Sequence, residues 1–474
     1  MSRYTGLAGA CALALTIASP SHAATDAELD EIRAQIRQLK ESYEARIQAL
    51  EQRVKEAEAS VAKAPPAATA PPAGAAAAPT ADATANANAS AATGAPPASA
   101  SAFNPAISAV LQGVYTNQSQ DPSQYAIAGF VPSGDIAPPK RGFGVSESEL
   151  TLSASVDDKI FGSLTFSLSP ENTVEVEEAY GVLTALPGGL TPKFGRFLSS
   201  IGYLNDQHQH VWDFYDAPLP YLAFLGGQFR SDGLQLKWVA PTDTYVELGA
   251  EIGDGASFPG TGRSGNGIGS VAAYVHAGGD VGASSTWRAG LSWLGLRPQD
   301  RQYAQADIAG NDAQLGFSGR SQLAIADFVW KYAPNGNARD TSFKLQGEYF
   351  WRRESGDLTY DRDAALGLAR TAAYSSRQSG FYVDGVYQFM PAWRVGARYD
   401  RLDTGRVDYG ANAAYLDNAG FNPQRYALML DYTPSEFSRF RVQFQQNRLR
   451  PDLTDNQVFV QYILTLGAHA AHKY

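Results

Sequence analysis

Cysteine is almost absent: of 474 residues only Cys11 is one, and it lies in an apolar stretch at the start of the chain. Arg3, the apolar segment Leu7 to Ala18 and the small-x-small ending Ser21-His22-Ala23 make residues 1–23 an expected export leader, cleaved after Ala23. The exported chain would then contain no cysteine, which excludes disulfides and thiolate chemistry. Beyond the leader there is no run of about 18 apolar residues, so the chain crosses no membrane as a helix. Hydrophobic residues make up only 44% of the sequence. That is no argument against a membrane, because the strands of a transmembrane barrel alternate lipid-facing with lumen-facing residues and so dilute the hydropathy. The motifs G-x-S-x-G, H-E-x-x-H and G-x-x-x-x-G-K-[ST] are missing too. The chain is therefore expected not to be an enzyme, to carry no cofactor and to have no nucleic acid as partner.

What is present falls into three segments after the leader. In 24–64 the apolar residues Leu29, Ile32, Ile36, Leu39, Tyr43, Ile47, Leu50, Val54, Ala57 and Val61 are spaced by threes and fours among Glu, Arg, Gln and Lys. So narrow a stripe predicts a periplasmic α-helical coiled coil, and Ile and Leu at both seam positions lean toward three strands. Residues 65–102 are Ala, Pro, Thr, Ser and Asn with almost no charge, the composition of a disordered linker.

From 103 to 474 the period becomes two. About sixteen strands are predicted, 160–168, 341–353 and 377–390 among them, and every second connection is a tight turn, as at Asp157-Asp158-Lys159, Pro187-Gly188-Gly189, Pro241-Thr242-Asp243, Met390-Pro391-Ala392 and Pro434-Ser435-Glu436. Most of the other connections are long and polar. Segregated loop lengths with an even strand count predict an all-β, transmembrane antiparallel β-barrel with its turns in the periplasm. The last strand alternates Val458, Val460, Tyr462, Leu464 and Leu466 with Gln461 and Thr465, and ends on Tyr474. In the fourth strand Glu178 falls on the face of Val174, Val176, Tyr180 and Val182, which calls for a bulge or a different register.

Parity also sorts the faces. Leu164, Phe166 and Leu168, then Val246, Leu248, Ala250 and Ile252, then Trp287, Leu291 and Trp293 are expected to meet lipid, with Tyr349, Trp351, Phe440, Val442 and Phe444. Opposite them, expected to line a pore, are Glu147, Glu149, Glu247 and Glu251 on early strands, and Arg288, Lys344, Arg394, Arg398, Arg439 and Arg441 on later ones. An acidic wall confronting a basic one would set up a transverse field; the alternative is that these charges hydrate the lumen or pair with their neighbours. The connection Ile201 to Gln228 holds His208, His210, Asp213 and Asp216 ahead of the apolar run Pro218 to Phe224, a composition that predicts a constriction loop packed inside the barrel. His208 and His210 beside carboxylates leave a metal site open as a question. The segment 1–102 carries a net charge of −2, which leaves −8 of the formal −10 on the barrel and argues against a purely anion-selective pore.

The phrases FNPAIS (103–108), ESELTLSA (147–154), DAPLPYLAFLGGQF (216–229), DGLQLKWVAPT (232–242) and LGAHAAHKY (466–474) resemble a poorly characterised family of proteobacterial outer-membrane β-barrels. These are porin-like, and members are sometimes labelled zinc-regulated or TonB-dependent receptors. The coiled coil looks like that of phosphate-selective and related trimeric porins, and the aromatic terminus resembles an assembly signal. The resemblance implies the outer membrane of a Gram-negative bacterium, a homotrimer, and recognition of Tyr474 by the barrel assembly machinery. The leading expectation is a passive channel for small polar or charged solutes. A gated uptake barrel, for a metal or metal chelate among other cargoes, and an outer-membrane tethering protein are the alternatives.

Overall fold

The computed structural model describes residues 105–467, apart from 132–135, 171, 263–265 and 419. The expected leader, coiled coil and linker lie outside the described residues, as do His469, His472 and Tyr474. The described chain is one antiparallel sheet of eighteen strand segments that closes on itself. In order these are β1 (Ala106–Gln118), β2 (Gly142–Val145), β3 (Ser148–Ser155), β4 (Ile160–Leu168), β5 (Val174–Leu183), β6 (Leu190–Leu198), β7 (Arg230–Val239), β8 (Tyr245–Gly253) and β9 (Ser270–Val281). They continue as β10 (Ser285–Leu296), β11 (Arg301–Ala306), β12 (Asp312–Tyr332), β13 (Ser342–Tyr360), β14 (Arg370–Met390), β15 (Trp393–Asp408), β16 (Gln424–Ser435), β17 (Ser438–Arg450) and β18 (Leu453–Gly467). Two staves are interrupted: β2 and β3 both pair with β1, and β10 and β11 both pair with β12. The barrel therefore has sixteen staves.

Closure follows from the solvent. An open edge in hydrocarbon leaves each unpaired amide and carbonyl costing several kcal/mol, roughly, so a membrane sheet must pair its last strand with its first. Here β18 pairs with β1 from Ser108 opposite Gly467 to Gln118 opposite Gln457. Outward residues are apolar and exposed, Leu248, Leu291, Trp351, Phe440, Val442 and Phe444 among them, as their parity predicts. Tilted aromatic pairs cross adjacent strands near the short-turn rim, with Trp393 against Tyr432 at 4.6 Å and Phe440 against Tyr462 at 4.5 Å. Such rings suit the membrane interface, where one edge is dry and the other wet.

The bulge lies in β5. Thr165 faces Glu178 but Phe166 faces Val176, so Glu177 is the extra residue, and it and Glu178 both end up buried inside the barrel. The staves also differ in height. β12 and β14 have 21 residues each, whereas β4 and β6 have nine. Since about 9–11 residues cross the bilayer, the tall staves project well beyond it, on the side of the long loops.

Candidate functional site

The connection between β6 and β7, residues 199–229, runs through the barrel interior and touches staves on nearly every side. Its neck is pinched by Asn205, whose amide donates to the Ser199 and Phe229 carbonyls at 2.7 and 2.9 Å and whose Oδ1 accepts the Phe229 N–H at 2.8 Å. Glu251 holds the same neck, accepting from the Ser199 hydroxyl at 2.6 Å, the Ser200 N–H at 2.9 Å and the Gln235 amide at 2.7 Å.

The apolar run forms a short helix, α1 (Leu219–Leu225). Proline at its start costs no hydrogen bond, and Gly226 ends it in the left-handed conformation at φ 68°. All seven of its residues are buried. Tyr221 meets Phe350 edge-on at 5.0 Å, Phe224 stacks on Phe350 at 6.1 Å, and the Arg352 guanidinium lies 4.9 Å from the Phe224 ring centre. The Leu219 N–H donates to Asp400 at 3.1 Å. Glu348 is the main anchor: it accepts from the Tyr203 and Leu204 N–H groups at 3.0 and 3.2 Å and from the Tyr221 and Tyr382 hydroxyls at 2.8 and 2.7 Å. Gly202 is needed beside it, because at φ +67° a Cβ would stand 2.3 Å from a Glu348 oxygen.

Charge ties the middle of the loop to opposite walls. On one side His208 Nδ1 is 3.0 Å from Glu149 and 3.3 Å from Glu177, its Nε2 is 3.1 Å from Glu178, and His210 Nδ1 is 2.9 Å from Glu149. On the other side Asp213 pairs with Lys344 at 2.5 Å and Arg394 at 3.0 Å, and Asp216 pairs with Arg398 at 3.0 Å and with Arg425. Arg441 donates to the Trp212 carbonyl at 2.8 Å, and Arg439 to the His210 carbonyl at 3.3 Å. The loop thus lays imidazoles on the acidic strands and carboxylates on the basic ones.

The remaining residues singled out from the sequence also sit on the inner face. Glu247 bonds His276 at 3.1 Å, Arg288 pairs with Asp327 at 2.9 Å, and Glu147 lies half-buried at the break between β2 and β3. The walls are not of single sign, however. Asp327, Glu348, Glu354, Asp384, Asp400 and Asp431 are buried on the same later strands as the arginines, and Asp431 pairs with both Arg394 at 2.6 Å and Arg441 at 2.8 Å. The expected transverse field is therefore largely cancelled within the basic half. The missed carboxylates were within reach of the sequence, since Glu348 follows Lys344 by four residues and Asp400 follows Arg398 by two, on the same parity. Arg352, Arg425 and Arg441 are each under 2% exposed, which shows how completely the inner face is covered around the loop.

No family model matches the chain. An uncharacterised protein of Aquifex aeolicus is 30% identical over 405 residues, which span 80% of this chain and 81% of that one. Among solved structures, the outer membrane channel DcaP of Acinetobacter baumannii is 14% identical, with a TM-score of 0.47 over 76% of this chain and 96% of its own. The trimer form of OmpT from Vibrio cholerae is 12% identical, with a TM-score of 0.46 over 76% and 98%. The anion-selective porin from Comamonas acidovorans is 9% identical, with a TM-score of 0.44 over 76% and 99%. Likenesses of that size carry no functional inference.

Proposed function

The chain belongs to one family with the Aquifex aeolicus protein, and we propose that it is a porin-type channel of a Gram-negative outer membrane, passing small polar or charged solutes. The observation that supports this most is the loop 199–229 held across the interior of a closed barrel whose outer wall is apolar and inner wall charged. Charged inner residues hydrate a path and select among ions, while a loop across that path sets its width. Solute identity is left to the charges that remain reachable beside the loop.

A second reading, gated uptake, is favoured by one observation. With α1 fully buried against Phe350, Tyr382 and Leu402, the interior has a packed apolar half that a freely open pore would not need. On this reading the loop must move before solute passes. Planar-bilayer recording of the full protein separates the two. Residues 206–226 can be replaced by a short Gly-Ser bridge, because the neck is already closed by Asn205 and Phe229. A gated channel conducts little until this excision and several-fold more after it. A passive pore conducts in large ohmic steps before excision and gains modestly. Equal conductance before and after would remove the loop from the solute path altogether.

A further inference from the structure

Where the loop meets the acidic strands, three carboxylates gather around one imidazole. His208 Nε2 is hydrogen-bonded to Glu178 at 3.1 Å, and Glu178 is itself fixed by the Leu198 N–H at 3.0 Å. In the neutral imidazole a carboxylate on Nε2 favours the ring proton there, so the lone pair falls on Nδ1. Yet Nδ1 points at Glu149 Oε2 and Glu177 Oε2, at 3.0 and 3.3 Å, with all three atoms within 4.8 Å of one another. Neither Nδ1 nor the Glu177 oxygen makes a hydrogen bond, although Glu177 is only 5% exposed. Lone pairs facing lone pairs in a buried place repel unless a proton or a metal ion lies between them, and one proton on Nδ1 can serve only one of the two carboxylates well.

We propose that Glu149, Glu177 and His208 bind a divalent transition-metal ion of the Zn²⁺ class. Ligands about 2.1 Å from a tetrahedral ion stand about 3.4 Å apart, close to the spacings found here. The surroundings fit as well. Glu178 orients His208 from behind, His210 holds the second oxygen of Glu149 at 2.9 Å, and Glu147 adds a further carboxylate at the break in the stave. No lysine or arginine stands at ion-pair distance from Glu149, Glu177 or Glu178 among the described residues. One dication therefore offsets charge that the two imidazoles alone do not. Three protein ligands leave a fourth position open, so the ion clamps the loop to the wall and remains exchangeable from the lumen.

The test uses the full-length protein folded in detergent and freed of metal by chelator dialysis. Zn²⁺ titration by calorimetry is expected to give one ion per chain, and Co²⁺ the intense visible bands of a four-coordinate site. Glu177→Gln and His208→Gln should each abolish that stoichiometric binding while keeping a heat-modifiable barrel. Glu178→Gln, which changes the partner behind the imidazole and none of the three ligands, should weaken it about 10- to 100-fold. The Co²⁺ spectrum needs no variant, so the proposal stays testable if a substitution prevents folding. A folded wild-type barrel that takes up neither ion, or binding that survives Glu177→Gln at the same stoichiometry, overturns it.

Discussion

At the scale of residues, the interior is governed by a few carboxylates with many donors. Glu348 receives four hydrogen bonds in a buried site, and removing it leaves those donors without a partner, at roughly 1–3 kcal/mol for each bond not remade. Glu348→Ala should therefore lower the denaturant midpoint of the folded barrel and release the loop, while Glu348→Gln retains part of both. A midpoint unchanged in Glu348→Ala would mean that the loop stands without this anchor. Selectivity follows the same arithmetic of pairing. Replacing Arg394, Arg398, Arg439 and Arg441 together by Gln should shift the reversal potential in a salt gradient toward cations, and Glu247→Gln toward anions. Both shifts should shrink as salt rises, since the Debye length falls from about 8 Å at physiological strength to about 3 Å at 1 M. Because Arg394, Arg398 and Arg441 already have Asp213, Asp216 and Asp431 as close partners, whereas Arg439 stands 4.0 Å from Asp431 and donates to the His210 carbonyl, Arg439→Gln is expected to carry the largest share of the arginine effect. Potentials fixed at low salt would exclude these side chains from the conducting path.

At the scale of elements, the loop contains three glycines with positive φ, Gly202, Gly226 and Gly227. Gly202→Ala strains the backbone and drives a methyl into Glu348, so it should raise conductance and lower stability together. Wild-type conductance from a folded Gly202→Ala barrel would show that the loop tolerates the shift. Strands were the most legible part of the sequence. β4 spans the expected 160–168, and the irregular pattern around Glu178 marked a true bulge. What could not be read was the height of the tall staves. The sequence predicts strands over 341–353 and 377–390, whereas β13 runs on to Tyr360 and β14 starts at Arg370. Outside the bilayer the outer face meets water, so in Arg353-Glu354-Ser355-Gly356-Asp357 the outward residues are polar even though Glu354 stays buried, and the apolar alternation that lipid imposes is lost. The site was legible in its residue types but not in its partners. His208 and Asp216 were recognisable as polar residues in an odd loop, but the sequence gives no distance from them to Glu178 or Arg425, which only closure of the barrel brings near.

For the whole molecule, we propose a trimer held by the barrel wall and by the N-terminal segment. Ile36→Asp with Leu50→Asp should abolish self-association of a peptide spanning 26–64, as read by analytical ultracentrifugation. A peptide that is monomeric without the substitutions would sink the coiled coil. Deleting Tyr474 is expected to reduce the yield of heat-modifiable barrel in cells and leave single-channel conductance unchanged, and normal yield would argue against the terminal aromatic as an assembly signal. One consequence of the inward loop concerns the order of events in time. Gln461 donates to Gln112 across the seam, 349 positions away, so the wall cannot close until the end of the chain has been delivered. Contacts between such distant positions form slowly. Meanwhile Asp216, made early, waits for Arg398 and Arg425, made late. The loop's contacts with β15 and β16 are thus completed only when the last staves arrive.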